Sequence, residues 1–561
     1  MSEEKLFNHN VMLSVRLDGK ETGFLAYIQS VETTMEFHRL ATAEILLNDG
    51  GLTDADFTIG DADDFHPGKE VEILVGKEQA DQCIFKGLVE MQSIILENNT
   101  SQLKVTAKHA AYKMTLERHL RSFEDTTDKE VIESICAEYG IDVCVGGQEV
   151  KHERLVQYNC TDWDFINLRA EAMGALLYTM PTGIVIIVPD ANSQPVLKLA
   201  NGYNLQHLDI EIDVRRDFHK HKTDAWNYTT QEMDMVEELT QRDGNDTLQN
   251  HQMSSEENCD AMTTRNKMRA MRADCARIQG TVQAWGHAPL EPGQTVSIEN
   301  VGKCFNGKAV VSSVSHNISS NEWLTTLTLG IDDTLYASRY DDIATQPADG
   351  ELPPVNGLQI AKVEALEGDP LNEERIYVSL LGKEDSRLWA RIATLDAGNG
   401  RGTVFCPEIG DEVVMGFVND HPNQAVVLGM LHSSNAPSPI AKTDDNHQKA
   451  IVTRENLQVL FDDEKKLIAL STPEGNSLTL SDDDGGINIE DQNGNKITMD
   501  ANGITIETNK ALNIKATQDT TIEGNNTTVK ANAQLKLQGT AGSELSASGN
   551  TVVKGALVQI N

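Results

Sequence analysis

The sequence predicts a mainly β protein with a smaller α/β insert, and three observations carry that prediction. A P-G-x-x-V-x-I motif followed by a strand pair occurs twice in the first 345 residues. Short runs of alternating apolar and polar residues fill positions 357–436. Beyond residue 472, apolar residues recur in pairs at alternate positions, with turn formers between the pairs. At roughly 150 residues per domain, the 561 residues predict several domains.

The repeated motif lies in residues 1–110 and 201–345. Its copies, at 67–73 and 292–298, each lead to an F-x-G turn and then to an antiparallel strand pair. The predicted pairs are 88–95 with 103–107 and 309–315 with 324–329. Chance is the alternative, because P-G turns often precede strands. The shared order and similar spacing favour duplication, and we predict two related, tube-like β-barrels.

An α/β insert is predicted between them, over residues 111–200. Thr127 and Glu130 form a capping box, in which each side chain can bond the other residue's backbone amide. The helix that follows should end at Gly140, and a second helix should run from about Thr161 to Gly174. The apolar run 183–188 predicts a buried strand.

A Pro-rich linker at 346–356 precedes a predicted five-stranded barrel at 357–436. The candidate strands are 358–366, 376–380, 388–392, 412–417 and 425–430. This strand count and size suit an OB-fold. Many OB-folds bind single-stranded nucleic acid through basic grooves, but here six Lys and Arg face twelve acidic residues. We therefore expect a structural barrel, followed by a linker and neck at 437–472.

The last segment, 473–561, is a string of apolar residues separated by polar ones. From Ile506 to Ile514 to Ile522 the step is eight residues, and a fixed short period predicts stacked strands. The predicted interior residues are Ile487, Ile489, Ile497, Ile504, Ile506, Leu512, Ile514, Ile522, Leu537, Leu545 and Val553. A disordered polar tail is the alternative, which the sustained periodicity disfavours.

One chain cannot supply a core from this segment, because one or two apolar side chains per eight residues do not offset the ordering entropy. A closed oligomer solves this by letting each chain contribute one wall of a shared interior. The sequence therefore predicts an intertwined trimeric β-helix or β-prism needle, with about eleven strands and a length on the order of 50 Å. Two barrels in each of three chains would form a ring of six.

The composition excludes several functional classes. A net charge of −39 repels nucleic-acid phosphates and anionic lipids. The eight cysteines form no C-x-x-C pair, which is typical of a protein made in a reducing cytoplasm. The N-terminal residues lack the basic and apolar regions of a signal peptide, so we expect cytoplasmic synthesis without one. No apolar run is long enough to span a membrane.

Several motifs together resemble VgrG-type spikes of contractile injection systems, which are related to hub and spike proteins of contractile phage tails. The motifs are Trp163-Asp164-Phe165 with Ala172 and Gly174, the strand end from Val314 to Gly330, Pro407-Glu408-Ile409-Gly410-Asp411-Glu412-Val413, Asp420-His421-Pro422 and Val427-Leu428-Gly429. The resemblance covers nearly the whole chain, and the third motif is the most specific. The stretches 15–19 and 65–68 look closer to spikes of extracellular phage-tail-like systems.

The resemblance implies a homotrimer that joins a sixfold inner tube to a threefold, membrane-piercing needle. It implies inner tube and baseplate proteins as partners of the hub, and a PAAR-type tip protein bound at Val558, Gln559, Ile560 and Asn561. It also implies a place in an assembled injection particle, extracellular or driven into the target envelope on firing. The alternatives are a type VI secretion VgrG, a trimeric tailspike that binds or hydrolyses glycans, and a passive adhesin.

The sequence offers no candidate catalytic or cofactor-binding residues. Residues 433–467 are too few for an inserted lysozyme domain, and the common hydrolase and nucleotide-binding motifs are absent. His219 and His221 could form a metal pair, but no third ligand is near in sequence, so we predict no metal site. The stretch 398–402 is expected to be a hairpin turn and 482–484 a solvated acidic turn. Because the sequence ends at Asn561, we expect no fused effector domain.

Overall fold

The structure is a computed structural model that describes residues 11–50, 57–77, 79–97, 100–212, 218–240, 248–253, 259–319, 322–332, 334–381 and 385–560. The chain divides into an N-terminal unit, residues 1–358 with 416–426, and a C-terminal unit, residues 359–415 with 427–561. Within the described residues, every helix is too short or too polar to serve as a membrane span.

The described residues of the first segment form seven strands, which follow one another at one end of the strand order of a large sheet. They are β1 (Met12–Leu17), β2 (Lys20–Glu21), β3 (Ile28–Glu36), β4 (Thr42–Asn48), β5 (Glu70–Gly76), β6 (Gln82–Glu97) and β7 (Thr100–Lys108). The predicted pair is present, with Val89 opposite Ala107. The F-x-G turn predicted for the first copy falls on residues 85–87, and this prediction is wrong because these residues lie inside β6. A Cβ on Gly87 would lie 2.2 Å from the carbonyl oxygen of Lys108, so a glycine is required for the close approach of β7.

The insert follows the prediction closely. Its elements are β8 (Arg118–Thr127), α1 (Asp128–Glu138), β9 (Val143–Val145), β10 (Lys151–Thr161), α2 (Asp162–Ala172), β11 (Leu176–Met180) and β12 (Gly183–Ile187). The capping box is confirmed: Glu130 N–H donates to Thr127 Oγ1, and Thr127 N–H donates to a Glu130 carboxylate oxygen. Ile132, Ile135 and Phe165 are buried in a core shared by both helices.

The third segment contains more than a barrel. Its elements are β13 (Leu197–Ala200), β14 (Leu205–Ile212), β15 (Lys220–Asn227), β16 (Glu232–Leu239), β17 (Leu248–Met253), α3 (Cys259–Cys275), β18 (Ile278–Trp285), β19 (Thr295–Glu299), β20 (Gly307–Ser319), β21 (Glu322–Leu329) and α4 (Tyr336–Arg339). The sequence prediction of a barrel throughout 201–345 missed α3 and the separate sheet β16–β15–β17. The buried residues of α3 include Thr264, Asn266 and Arg272, so no apolar period marks this helix.

The two repeat copies belong to one 13-stranded sheet. Strand β20 of the second copy pairs with β3 of the first, with Val314 opposite Met35. One hydrophobic core takes side chains from both copies, including Val31, Val105 and Val282. The two strand sets predicted as two barrels are therefore joined edge to edge, because each leaves an edge strand whose backbone groups need partners.

The five-stranded barrel is confirmed, in the order β22–β23–β24–β28–β27. Its elements are β22 (Gln359–Ala365), β23 (Ile376–Leu380), β24 (Arg387–Ile392), the hairpin β25 (Ala397–Gly398) and β26 (Arg401–Gly402), β27 (Glu412–Phe417) and β28 (Ala425–Met430). The hairpin occupies the Gly-rich stretch predicted as a turn. The described residues also form four short 3-10 helices: Leu25–Tyr27, Ala110–Thr115, Pro347–Gly350 and Val418–Asp420. The third lies in the predicted linker, where Ala348 is buried.

Seven short strands follow the barrel and form a separate antiparallel sheet in chain order. They are β29 (Gln448–Val452), β30 (Gln458–Asp462), β31 (Leu467–Ser471), β32 (Ser477–Ser481), β33 (Gly486–Glu490), β34 (Lys496–Asp500) and β35 (Gly503–Glu507). The predicted linker and neck at 437–472 thus contains three strands of this sheet. Residues 508–560 contain no strand in this single chain. The about eleven strands predicted from residue 473 onward need neighbouring chains for their pairing, so that count stays a prediction.

Candidate assembly surface of the C-terminal sheet

The seven strands are short because turns follow one another closely. Between β33 and β34, the Asp491 carboxylate accepts hydrogen bonds from the Asn493 and Asn495 backbone amides at 2.8 and 2.9 Å. The side chain of Asn495 also donates to it at 2.7 Å, and these bonds lower the pKa of Asp491 to about 2. Gly494 supplies the left-handed backbone at φ +82°. An ionised Asp491 therefore locks the hairpin.

The register of these strands aligns apolar side chains into two rows. Each row crosses six strands with directly opposed residues, which is the arrangement that stabilises a sheet face. The first row is Phe461, Ile468, Leu480, Ile487, Met499 and Ile504; the second is Val459, Leu470, Leu478, Ile489, Ile497 and Ile506. Because both rows occupy alternate positions, they lie on one side of the sheet. We call these twelve residues the apolar face.

The opposite side of the sheet is different in character. Its central row becomes polar along the chain and ends in Thr479, Asn488, Thr498 and Thr505. Such a sheet has one side suited to water and one suited to a core.

The apolar face is nevertheless open in the single chain. Exposure is 41% for Phe461 and 44% for Leu470, and it rises to 53% for Ile506 and 69% for Ile504 in the last strand. A groove of about 940 Å³ lies along the second row and is lined also by Leu512. Contiguous exposed apolar surface of this kind marks a protein interaction site. The described part of the C-terminal unit supplies no second layer for it.

The structure places the predicted interior residues in two groups. Five of them lie in the apolar face: Ile487, Ile489, Ile497, Ile504 and Ile506. The other six lie in the extended segment after β35 and are between 56% and 80% exposed: Leu512, Ile514, Ile522, Leu537, Leu545 and Val553. Of the predicted tip-binding residues, Val558, Gln559 and Ile560 are exposed at the end of that segment, and Asn561 lies outside the described residues.

The sequence prediction missed the upstream part of the face. Val459, Phe461, Ile468 and Leu470 were assigned to a linker, although they carry the same alternation as the later pairs. The alternation of apolar residues is visible in the sequence. It would have been found by extending the search for apolar pairs at alternate positions back to residue 459.

The histidine pair and the acidic stretch singled out in the sequence lie outside the apolar face. His221 lies in β15 beside His251 of β17, with ring centroids 5.9 Å apart. Among the described residues, no group of three or more His, Cys, Asp or Glu side chains is placed to hold a metal ion. The Asp482–Asp484 stretch forms a turn, in which Asp484 N–H donates to Ser481 Oγ at 3.0 Å.

Three known family domains match the chain. The Alg8 N-terminal domain matches residues 8–320. The type VI secretion system/phage-baseplate injector OB domain matches residues 359–432, and the phage baseplate V C-terminal trimerisation domain matches residues 467–561. The chain is therefore a VgrG-type spike protein of the type VI secretion and phage-baseplate class. Because the Alg8 N-terminal domain spans more than half of its length, the chain also belongs to the family that this domain defines.

Curated relatives match over shorter stretches. The type VI secretion system spike protein VgrG3 of Vibrio cholerae serotype O1 is 29% identical over 115 residues, which are 19% of this chain and 11% of that protein. The actin cross-linking toxin VgrG1, also from Vibrio cholerae serotype O1, is 32% identical over 95 residues, or 15% and 9% of the two chains. The chain thus spans about a tenth of the length of these curated relatives.

Among solved structures, the 43 kDa tail protein of prophage MuSo2 from Shewanella oneidensis is similar to this chain with a TM-score of 0.46. It is 13% identical, and the match covers 57% of this chain and 98% of that one.

Proposed function

We propose that this spike protein works as a homotrimer that joins the inner tube of a contractile injection machine to a membrane-piercing needle. The observation that carries the proposal is the open apolar face of β29–β35. Three copies facing one another would cover all three faces and form a dry interior. Moving a leucine-sized side chain out of water contributes about 1.5–3 kcal/mol when burial is complete, so each chain gains from twelve such side chains.

The extended segment after β35 fits the same assembly. Eight-residue steps join Ile514 to Ile522 and Leu537 to Leu545 to Val553, and these five residues are exposed in the single chain. A strand without neighbours leaves its backbone groups unpaired, and segments from three chains can pair with one another. The match to a trimerisation domain over residues 467–561 supports this step.

The joined sheet of the N-terminal unit supports the proposed attachment of the trimer to the inner tube. Each chain contributes two strand sets that carry the same P-G turn, so three chains would present six similar sets. A ring of that kind matches a sixfold tube on one side and a threefold needle on the other. Inner tube and baseplate proteins are the partners proposed for this ring.

The remaining parts of the proposal concern the tip and the mechanism. A PAAR-type protein would bind at the end of the needle, at Val558, Gln559 and Ile560. The work is mechanical and needs no catalytic residue, since shape and a rigid shared interior suffice to pierce an envelope. The protein would act within an assembled injection particle. The glycan-binding alternative is weakened by the apolar face, in which Phe461 is the only aromatic residue.

The test is a pair of variants in strand β33, Ile489→Asp and Asn488→Asp. Both place a carboxylate in the same strand, but Ile489 lies in the apolar face and Asn488 on the opposite side. A buried unpaired charge is strongly unfavourable, so Ile489→Asp should abolish the trimer and Asn488→Asp should retain it. Light scattering after gel filtration should give about three times 61.6 kDa for the unmodified protein. A mass near 61.6 kDa for that protein, or an intact Ile489→Asp trimer, would contradict the proposal.

A further inference from the structure

A small sheet in the N-terminal unit packs against α3 and encloses a cavity. The sheet has the order β16–β15–β17, in which β15 pairs antiparallel with β16 and parallel with β17. The cavity has a volume of about 160 Å³, and its lining includes His221, His251, Arg269 and Arg272. These residues come from β15, β17 and α3, and they have no part in the proposed assembly surface.

His221 is the unusual member of this lining. The residue is 2% exposed, and neither ring nitrogen has a hydrogen-bond partner. Its ring stacks on that of His251 with an interplanar angle of 14°, and Nε2 of His251 also lacks a partner. Leaving a buried polar atom unsatisfied costs about 1–3 kcal/mol, and native structures rarely do so. Three such nitrogens at one cavity indicate a ligand that is not part of the chain.

The chemistry of the lining is that of a donor-rich pocket. Arg269 Nη1 donates to Thr223 Oγ1 at 3.2 Å and to Asn266 Oδ1 at 3.4 Å. Arg272 pairs with the Glu171 carboxylate, while its Nε atom has no partner. Among the described residues that line the cavity, none is acidic. The described part of the lining therefore offers guanidinium and imidazole N–H groups and no carboxylate.

The protonation state of the two imidazoles agrees with this description. Burial, with the nearby Arg269 charge, lowers the pKa of His221 and His251 to about 4. Both rings are therefore neutral at pH 7, and each keeps one N–H donor.

We propose that this cavity binds one small tetrahedral oxyanion, phosphate or sulfate, through His221, His251, Arg269 and Nε of Arg272. Charge-assisted bonds from guanidinium to such an oxygen are among the strongest hydrogen bonds in proteins. A cavity admits a water molecule once its volume passes roughly 15 Å³, so this one has room for a polyatomic anion. Bound there, the anion connects β15, β17 and α3 and holds the small sheet on the helix.

A divalent metal ion is the competing occupant, because imidazole nitrogens are common metal ligands. Two guanidinium groups in the same cavity would repel a cation. Among its described residues, the lining also has no carboxylate or thiolate that would complete a coordination shell.

The test is equilibrium dialysis of the full-length protein against radiolabelled inorganic phosphate at pH 7, after removal of phosphate and sulfate. We expect one saturable site per chain, with sulfate competing for it. Arg269→Gln and His251→Gln should each weaken binding at least tenfold. His207→Gln is the matched control, because His207 is exposed on β14, and it should bind as the unmodified protein does.

Three outcomes would overturn the proposal. They are the absence of saturable binding, equal binding in all variants, which means an adventitious ion only, and tight binding of Zn²⁺ without phosphate binding. Should Arg269→Gln fail to fold, His251→Gln keeps the test decisive, because His251 is only half-buried. A second readout is thermal unfolding: phosphate should raise the melting temperature of the unmodified protein and leave that of His251→Gln unchanged.

Discussion

His316 in β20 shows how neighbouring residues determine the protonation state of a single buried side chain. The residue is 1% exposed, and its Nδ1 atom lies 3.0 Å from Thr325 Oγ1 and 3.4 Å from Trp323 Nε1. An indole nitrogen can only donate, so Nδ1 of His316 must accept and the ring must be neutral. Burial, with the neighbouring His287, lowers the pKa of His316 to about 4. His38 is also buried, and desolvation lowers its pKa to about 3.

These histidines predict a loss of stability on mild acidification. Their pKa values are lower in the folded protein than in the unfolded chain, where the value is about 6.5. Below pH 6.5 the unfolded chain binds more protons, so the free energy of unfolding should fall as the pH falls from 6.5 towards 4. Calorimetry of the N-terminal unit's transition in the full-length protein should show its melting temperature decreasing across this window. A constant melting temperature between pH 6.5 and 5 would contradict the prediction.

At the scale of elements, the two P-G turns adopt the same local structure. Gly68 N–H donates to the Val89 carbonyl at 2.8 Å, and Gly293 N–H donates to the Val311 carbonyl at 2.7 Å. Val89 N–H in turn donates to Lys69, and Val311 N–H to Gln294, at 2.9 and 2.8 Å. Both glycines have positive φ, at +97° and +88°. Identical bonding at matched motif positions favours duplication over chance.

The turn before β19 gives a prediction at this scale, with Gly293→Ala as the change and Gly302→Ala as its control. Both glycines have nearly the same φ, at +88° and +93°, so backbone strain is matched. A Cβ on Gly293 would lie 2.1 Å from Ile187 Cδ1, whereas Gly302 has open space around it. Because overpacking costs about 1–3 kcal/mol, Gly293→Ala should be less stable than Gly302→Ala by roughly that amount. Denaturant unfolding measures the difference, and equal stability would show that Ile187 yields freely.

At the scale of the whole molecule, the net charge of the chain opposes association of the proposed trimer, whereas the exposed apolar face favours it. Each chain carries a net charge of −39, so three chains repel one another as they approach. Burial of the apolar face would favour association independently of that charge. Salt screens exposed charges over about 10 Å at 0.1 M and over shorter distances at higher concentration.

Salt should therefore speed assembly of the proposed trimer. On refolding from denaturant, the rate at which the light-scattering mass reaches its final value should rise several-fold as NaCl is increased. Recovery of tryptophan fluorescence serves as the control, because folding within one chain depends less on repulsion between chains. A trimerisation rate that falls with salt would indicate that complementary charges, rather than the apolar face, drive the encounter.

The features that depend on local periodicity could be predicted from the amino-acid sequence. The five barrel strands were predicted within about a residue of their observed ends, the capping box of α1 was predicted fully, and the paired apolar residues marked most of one sheet face. Alternation and turn chemistry act over a few residues, so they can be read directly from the chain.

The way in which these elements combine became known only from the folded structure. It paired β3 with β20 across roughly 280 residues, buried the polar helix α3, and brought His221 and His251 to one cavity. It also extended the apolar face upstream to Val459 and Phe461. Strand pairing and the burial of polar groups are set by partners far away in sequence, and such partners leave no periodic signal in the residues themselves.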